Sequence, residues 1–396
     1  MHRELVETRR WIAEPQFLRG LNFCTLLPGP EAQQLATYIG WRLHGTLGGV
    51  VAGSFFVIPS IFVLLILSWL AAAYGDVPAV SGMLYGVQPV VVAILLDALF
   101  RIGRRTLRHP VLLGFALGAF AALQILRVPF PVVVLGAGLL GAALQRGWPS
   151  VFRPRSAEGG PGPDGRDVSP RPPLARALKI AGLFAALWAM PFGALWLWRG
   201  AGDVLVQEAL FFTQAAFVTF GGAYAVLSYI ADAAVHSYGW LDAEQMVQGL
   251  GLAESTPGPL IMVTQYVGFL GAWRSHGEFP QLLYGTLGAL ITTYATFLPS
   301  FFLIFLGAPY IEPLARSRRL QAALVGVTAS VVGVIASLGV LFGTSVLFRG
   351  ATLDLYAVVV TILTFAVLRT AHTPVQYLVL AGAIAGILWR SIAPAL

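Results

Sequence analysis

Residues 46–74 read TLGGVVAGSFFVIPSIFVLLILSWLAAAY, a run without a single charged side chain. A helix needs about 20 apolar residues to cross a hydrocarbon core about 30 Å thick, so this stretch predicts a membrane-spanning helix. Leu174 to Trp198, Pro280 to Gly307 and Ala322 to Phe342 are apolar runs of similar length. Met83–Phe100, Val111–Leu126, Pro129–Gln145, Val204–Ile230 and Ala243–Trp273 are further expected crossings. The chain has 396 residues, 57% hydrophobic and 11% charged, with mean hydropathy +0.77. Soluble domains carry about 25% charged residues, so a soluble fold is excluded. The two-residue alternation of outer-membrane strands is absent, and helices are the other way to satisfy the backbone in lipid. The expected fold class is all-α, a polytopic transmembrane helix bundle.

The same composition bounds the function. A single cysteine, Cys24, allows no intrachain disulfide, and six scattered histidines supply no metal-binding spacing, so no metal, cofactor or catalytic residue is assigned. A net charge of +7 comes mostly from loops between spans, where cytoplasmic lysine and arginine accumulate, and does not call for nucleic acid. Residues 1–14 lack the pattern of a cleavable signal peptide. Cys24 reads as a small packed residue.

The chain repeats itself. Arg10-Trp11-Ile12 aligns with Gly239-Trp240-Leu241, and Leu27-Pro28-Gly29-Pro30 with Thr256-Pro257-Gly258-Pro259, at a constant separation of 229 residues. Ile58-Pro59-Ser60 aligns with Leu298-Pro299-Ser300, and Gly86-Val87 with Gly326-Val327, at a separation of 240. Four parts are expected: a membrane repeat over 1–148, a disordered cytoplasmic linker rich in Gly, Pro and Arg over 149–173, a connecting helix over 174–199, and a second repeat over 200–396. Phe220-Gly221-Gly222 and the span around it map to positions before Met1, so the first half is expected to lack one helix.

Basic clusters orient the chain. Arg101 to His109, the linker (Arg153, Arg155, Arg166, Arg171) and Arg316, Arg318 and Arg319 are expected on the cytoplasmic side. Helix 83–100 is then followed by a cytoplasmic loop, whereas its counterpart 321–342 is preceded by one. The repeats are therefore expected to be inverted, an arrangement that places a transporter's site near the midplane between them. On this count residues 1–14 fall outside despite Arg3, Arg9 and Arg10.

Proline and glycine inside a helix break it, so each Pro-Gly-Pro is expected to split one crossing segment into two half-helices. With Pro30 opening the next helix, the amides of Glu31, Ala32 and Gln33 lack intrahelical acceptors and attract anions; Leu260, Ile261 and Met262 do the same in the second half. The candidate substrate-binding residues are Arg19, Asn22, Pro28, Gly29, Pro30, Glu31, Gln33, Gln34, Gly221, Gly222, Glu254, Ser255, Thr256, Pro257, Gly258 and Pro259. Thr264 and Gln265 are further uncharged donors. Arg19 is a candidate anion partner, and Glu31 and Glu254 are candidate proton sites. Asp97 and Glu208 are expected near span ends, at the interface.

Leu27-Pro28-Gly29-Pro30-Glu31 with Gln33-Gln34, the preceding Arg9-Arg10-Trp11, and Phe220-Gly221-Gly222, Trp240-Leu241 and Thr256-Pro257-Gly258-Pro259 together resemble the chromate ion transporter family in its long, two-domain form. The resemblance covers nearly the whole chain and departs from it in the absent first helix. It implies a multi-pass protein of the bacterial inner membrane, oppositely oriented halves, chromate efflux and resistance, and use of the proton motive force. The helix breaks by themselves support binding of a tetrahedral oxyanion; the resemblance selects chromate, with sulfate as its close analogue. A dianion bound beside Glu31 favours a proton on it, whereas antiport requires competition, which turns attention to Glu254. Rival readings are a sulfate or oxyanion exchanger, an anion channel, which predicts a continuous polar stripe, and a membrane-embedded enzyme, which predicts a cluster of catalytic groups. A homo-oligomer is left open.

Overall fold

The computed structural model describes residues 1–152, 174–220, 222–308, 317–371 and 373–392. Those residues form helices throughout, apart from one short two-stranded hairpin, Phe348–Arg349 with Thr352–Leu353. In chain order the helices are α1 (Glu14–Leu26), α2 (Glu31–Tyr74), α3 (Pro78–Thr106), α4 (Pro110–Gln124), α5 (Phe130–Leu144), α6 (Leu174–Arg199) and α7 (Val204–Val218). They continue with α8 (Ala223–Asp232), α9 (Ala243–Ser255), α10 (Val263–Arg274), α11 (Gln281–Gly307), α12 (Arg318–Leu347), α13 (Leu355–Thr370) and α14 (Val375–Ile392). Among the described residues six helices are long and apolar enough to cross a membrane: α2, α3, α6, α11, α12 and α14. The chain is thus a polytopic membrane helix bundle. The expected linker lies, beyond residue 152, outside the described residues.

Local chemistry sets where the helices begin. Pro78, Pro110 and Pro131 stand in first turns, where a missing amide hydrogen costs nothing. Asp203 accepts from the Leu205 amide (2.9 Å), Asp354 from Ala357 (3.0 Å), and Asp242 forms a reciprocal capping box with Gln245.

α2 is not one straight rod. His44 (φ −136°, ψ 25°) and Gly45 (φ 65°, ψ −159°) leave the helical conformation, and the chain reverses there. A Cβ on Gly49 would lie 3.1 Å from the Thr37 carbonyl oxygen, whereas twelve residues of continuous helix would separate these positions by about 18 Å. α2 is therefore a first arm, 31–43, packed against a second arm, 46–74, and the second arm is the apolar run that decides the fold.

The Pro-Gly-Pro segments differ from expectation in the same way. A Cβ on Gly20 of α1 would sit 2.5 Å from the Tyr38 ring, and the Phe23 and Tyr38 rings are 6.1 Å apart. Half-helices in line across the break would hold residues 20 and 38 about 27 Å apart. α1 and the first arm of α2 thus fold back on one another, with Pro28-Gly29-Pro30 at the tip. Gly249 of α9 meets the Tyr266 ring of α10 in the same manner. Phe211 of α7 and Tyr229 of α8 have ring centroids 5.0 Å apart, so these two helices also fold back on one another. Each of the three expected crossings is instead a helical hairpin whose two ends lie on one side. Arms of 13 residues reach about 20 Å, so once folded back neither arm crosses the hydrocarbon core.

Packing between the halves is reciprocal. The second arm of α2 and α11 run antiparallel, with Gly49 against Phe305 (2.8 Å to a Cβ) and Gly53 against Phe301 (2.5 Å). α3 packs on α14 through Gly86, Gly382 and Gly386, while α12 packs on α5 through Gly326, Ala137 and Gly141. Small residues let the backbones approach closely, which is how membrane helices gain contact without a hydrophobic driving force. The main apolar cluster runs through α3, α7, α9, α10 and α12, whereas α6 buries only Phe192 and Leu195.

Candidate functional site

The first tip, Pro28-Gly29-Pro30, is buried. Gly29 has φ +126°, a conformation that favours glycine. A Cβ there would also lie 2.8 Å from Ser300 Oγ of α11 and 2.6 Å from Gln34 Nε2, so there is no room for one. Gln34 Nε2 donates to the Pro28 carbonyl (2.7 Å) and closes the turn. The Gly29 amide donates to the carbonyl of Thr219 (2.9 Å), which belongs to the tip between α7 and α8.

The second tip repeats this arrangement. Gly258 has φ +143°, and a Cβ on it would collide with Ser60 Oγ of α2. Ser60 Oγ donates to the Pro257 carbonyl at 2.5 Å. Each tip thus rests on a serine that follows a helix proline in the other half: Gly29 on Ser300 after Pro299, Gly258 on Ser60 after Pro59. The tips are not equally covered, since Pro257 and Gly258 are exposed.

Around the tips lies a buried polar layer. Gln33, Gln34, Thr37, Ser300, Thr264 and Gln265 are all at most 1% exposed. Gln33 Nε2 donates to Thr37 Oγ1 (3.1 Å) and Gln265 Nε2 to the Ile61 carbonyl (2.8 Å). Among the described residues Gln33 Oε1, Gln34 Oε1 and Ser300 Oγ have no hydrogen-bond partner. Buried polar atoms are nearly always paired, so the three orphans stand out; Gln33 Oε1 and Gln34 Oε1 only accept, and Ser300 Oγ alone of the three can also donate. The opening amides of α2, without intrahelical acceptors, and the Ser300 hydroxyl are donors suited to an anion's oxygens. These donors at the buried first tip make up the candidate cradle for a small oxyanion.

The other candidates distribute as follows. Glu31, half-buried, opens α2 at the first tip. Glu254 ends α9 at the second tip and accepts from Tyr224 Oη of α8 at 2.5 Å, so the second and third hairpins touch there. Ser255 Oγ and Thr256 Oγ1 both donate to the Leu252 carbonyl and are spent on closing α9; Pro259 starts the 3₁₀ turn Leu260–Met262. Gly222 begins α8 at the third tip, and Gly221 lies outside the described residues. Arg19 is exposed on α1 with its Nε on the Pro15 carbonyl (3.3 Å), and Asn22 lends its carbonyl to Thr25; neither is brought to the tip. Cys24 is fully buried in the packing around α1. Asp97 lies near its helix end between Arg101 (3.5 Å) and Arg369 (3.4 Å). Glu208 departs from expectation: it is 0% exposed and not interfacial, because α7 is one arm of a hairpin packed against α10 and α11. Ser60, Ser300, Thr219 and Tyr224 are absent from the sequence-based candidates. The alignment of Pro59-Ser60 with Pro299-Ser300 held the signal for the two serines, but not their contact with the tips.

The chain matches the family described as chromate transporter over residues 1–142 and 206–387. It is 32% identical over 342 residues to the chromate transport protein of Pseudomonas aeruginosa, covering 85% of this chain and 74% of that one. It is 30% identical over 347 residues to the probable chromate transport protein of Synechococcus elongatus (87% and 78%), and 26% identical over 385 residues to the chromate transport protein of Cupriavidus metallidurans (97% and 85%). No solved structure matches.

Proposed function

The chain belongs to the chromate transporter family, and on that premise we propose that it is a secondary transporter that expels chromate, a tetrahedral oxyanion, from the cytoplasm by alternating access between two inverted halves. The observation that carries this reading is the reciprocal seating of the two tips, Gly29 on Ser300 and Gly258 on Ser60. If two bodies are related by a two-fold axis, a contact of i with j recurs as j with i. The antiparallel pairing of the second arm of α2 with α11 supports an axis across the helices rather than along them. Tyr85, near the start of α3, donates to Asp354, which follows α12 (2.7 Å), in keeping with opposite directions for these two helices as well. For helices that cross the bilayer, the axis then lies in the membrane plane, as in other secondary transporters with inverted repeats.

Hairpins in place of crossings also improve the charge balance. With the α3–α4 loop cytoplasmic, α3 and the second arm of α2 make two crossings and the first hairpin none. Residues 1–14, with Arg3, Arg9 and Arg10, then come to the cytoplasmic side, where basic residues belong. In the second half α6 and α11 cross once each and return the chain to the cytoplasm before Arg318 and Arg319. The first tip thereby enters from the cytoplasm and the second and third from outside, and the Gly29–Thr219 hydrogen bond joins tips of opposite entry.

Export needs no large force. With the cytoplasm negative, each charge moved across 100 mV is worth about 2.3 kcal/mol, and a dianion gains about twice that. A proton gradient adds to this if a proton site is coupled to the tips. The test is chromate uptake into everted membrane vesicles from cells making the protein, which represents export. Accumulation that follows an imposed gradient and falls with excess sulfate supports oxyanion export at a shared site. Sulfate transport with no chromate accumulation moves the reading to a sulfate exchanger, and flux that runs only down the anion's own gradient moves it to a channel. No flux of either anion refutes it.

A further inference from the structure

Glu208 has no role in the cradle, yet its burial is complete and neither carboxyl oxygen has a hydrogen-bond partner among the described residues. The side chain lies in a slot made by two glycines. A Cβ on Gly271 of α10 would lie 2.6 Å from Oε1, and one on Gly288 of α11 would lie 3.1 Å from Oε2, so a larger residue at either wall would press on the carboxyl group. Trp240 closes the same slot, its Cβ 3.2 Å from the Gly271 position.

A carboxylate without a donor is the costliest group to remove from water, and in practice such a group is neutralised rather than held charged. The slot therefore accommodates Glu208 as the carboxylic acid and offers nothing to the carboxylate.

Asp203 caps α7 five residues before Glu208. Its carboxylate holds Arg199 of α6 (2.9 Å) and the Tyr284 hydroxyl of α11 (2.7 Å) at the outer end of the hairpin. On α10 Arg274 is bound to the Trp240 carbonyl (3.3 Å), and on α8 Tyr229 lies against Phe211 with ring centroids 5.0 Å apart.

α7 also leads to the substrate cradle. Thr219, which follows it directly, supplies the carbonyl that holds the Gly29 amide. One helix therefore carries an acid seated among glycines and, at its other end, a hydrogen bond to the first tip. We propose that Glu208 is the proton-binding residue of this transporter and that its protonation seats α7, so that releasing the proton to water unseats the helix and loosens the Thr219–Gly29 contact. The proton leaves the carboxyl O–H, the electron pair stays on the carboxylate, and no other reactant is required. The inference rests on the transport reading above, and the experiment separates the two.

Purified protein in liposomes is assayed for chromate–chromate exchange without gradients, then for chromate flux under a pH gradient with the membrane potential clamped at zero. Wild type is expected to exchange chromate and to respond to the pH gradient several-fold. Glu208→Gln, matched in size to the neutral acid, is expected to keep exchange and lose the response. Glu208→Asp is expected to keep the response with a shifted pH midpoint, and it decides the matter alone if the Gln variant does not fold; an unshifted midpoint overturns the proposal. A pH response retained in Glu208→Gln also overturns it. Wild-type exchange that ignores the pH gradient sinks the proton site and leaves the transporter standing, whereas absence of exchange in wild type sinks the transport reading and the proton site with it.

Discussion

Gly258 and Ser60 test the seating of the second tip one atom at a time. Gly258→Ala introduces strain at φ +143° and a clash with Ser60 Oγ; the backbone part of such strain is of order 1–3 kcal/mol. Ser60→Ala removes that oxygen together with its hydrogen bond to Pro257, at a cost of about 0.5–1.5 kcal/mol. The clash with Oγ disappears in the double variant, while the backbone strain and a 3.0 Å approach to the Cβ of residue 60 remain. Flux in Gly258→Ala/Ser60→Ala should therefore recover part of what Gly258→Ala loses, read as a double-mutant cycle on the initial rate of chromate uptake; strictly additive losses would mean that the two residues do not meet during transport. Gln34→Leu tests the first tip. It leaves the buried Pro28 carbonyl without its donor, a loss of about 1–3 kcal/mol, and should lower thermal stability in detergent as well as flux. At this scale the Pro-Gly-Pro pairs and their glutamines were legible in the sequence, because proline and glycine act on their own backbone. Glu208 was not: its depth depends on Gly271 and Gly288, more than sixty residues away in the chain.

The elements were legible as helices and misread as crossings. Apolar length identified the second arm of α2, α3, α6, α11 and α12 within a few residues, since a span needs little beyond hydrophobicity and about 20 residues. A helix break, by contrast, says that the chain changes direction without saying by how much. The hairpins rest on tertiary contacts such as Gly20 with Tyr38 and Phe211 with Tyr229, which no local pattern reports. A sequence cue did exist in Arg42, His44 and Gly45, a polar turn only fifteen residues after Pro30, too soon for a helix to have crossed. The hairpin makes a sharp prediction for two exposed positions, Arg10 and His44. Introduced singly as Arg10→Cys and His44→Cys in a Cys24→Ser background, both should react with a membrane-impermeant thiol reagent in everted vesicles and neither in intact spheroplasts. If α1 and the first arm of α2 formed one crossing, the two sites would label from opposite sides.

For the whole molecule, the informative property is reciprocity, because it ties stability to symmetry. Gly86 of α3 lies against Gly382 and Gly386 of α14, and Gly326 of α12 lies against Ala137 and Gly141 of α5; in both places the added Cβ would meet backbone, which cannot rotate away. The sequence alignment paired Gly86 with Gly326 without indicating that each packs on the other half. If the halves are related by a two-fold axis, the two crossings bear equivalent loads. Gly86→Val and Gly326→Val should then each destabilise the protein by about 1–3 kcal/mol through overpacking, lowering the midpoint of thermal unfolding in detergent by similar amounts. Gly114 and Gly118 of α4 face open space and provide the control, since Gly→Val there adds only a side chain to a lipid-facing surface. A marked drop at Gly86 with none at Gly326 would mean that the halves carry their packing unequally, against a two-fold relation between them. Equal drops, with the controls unmoved, are what a two-fold relation between the α3–α14 and α12–α5 contacts requires.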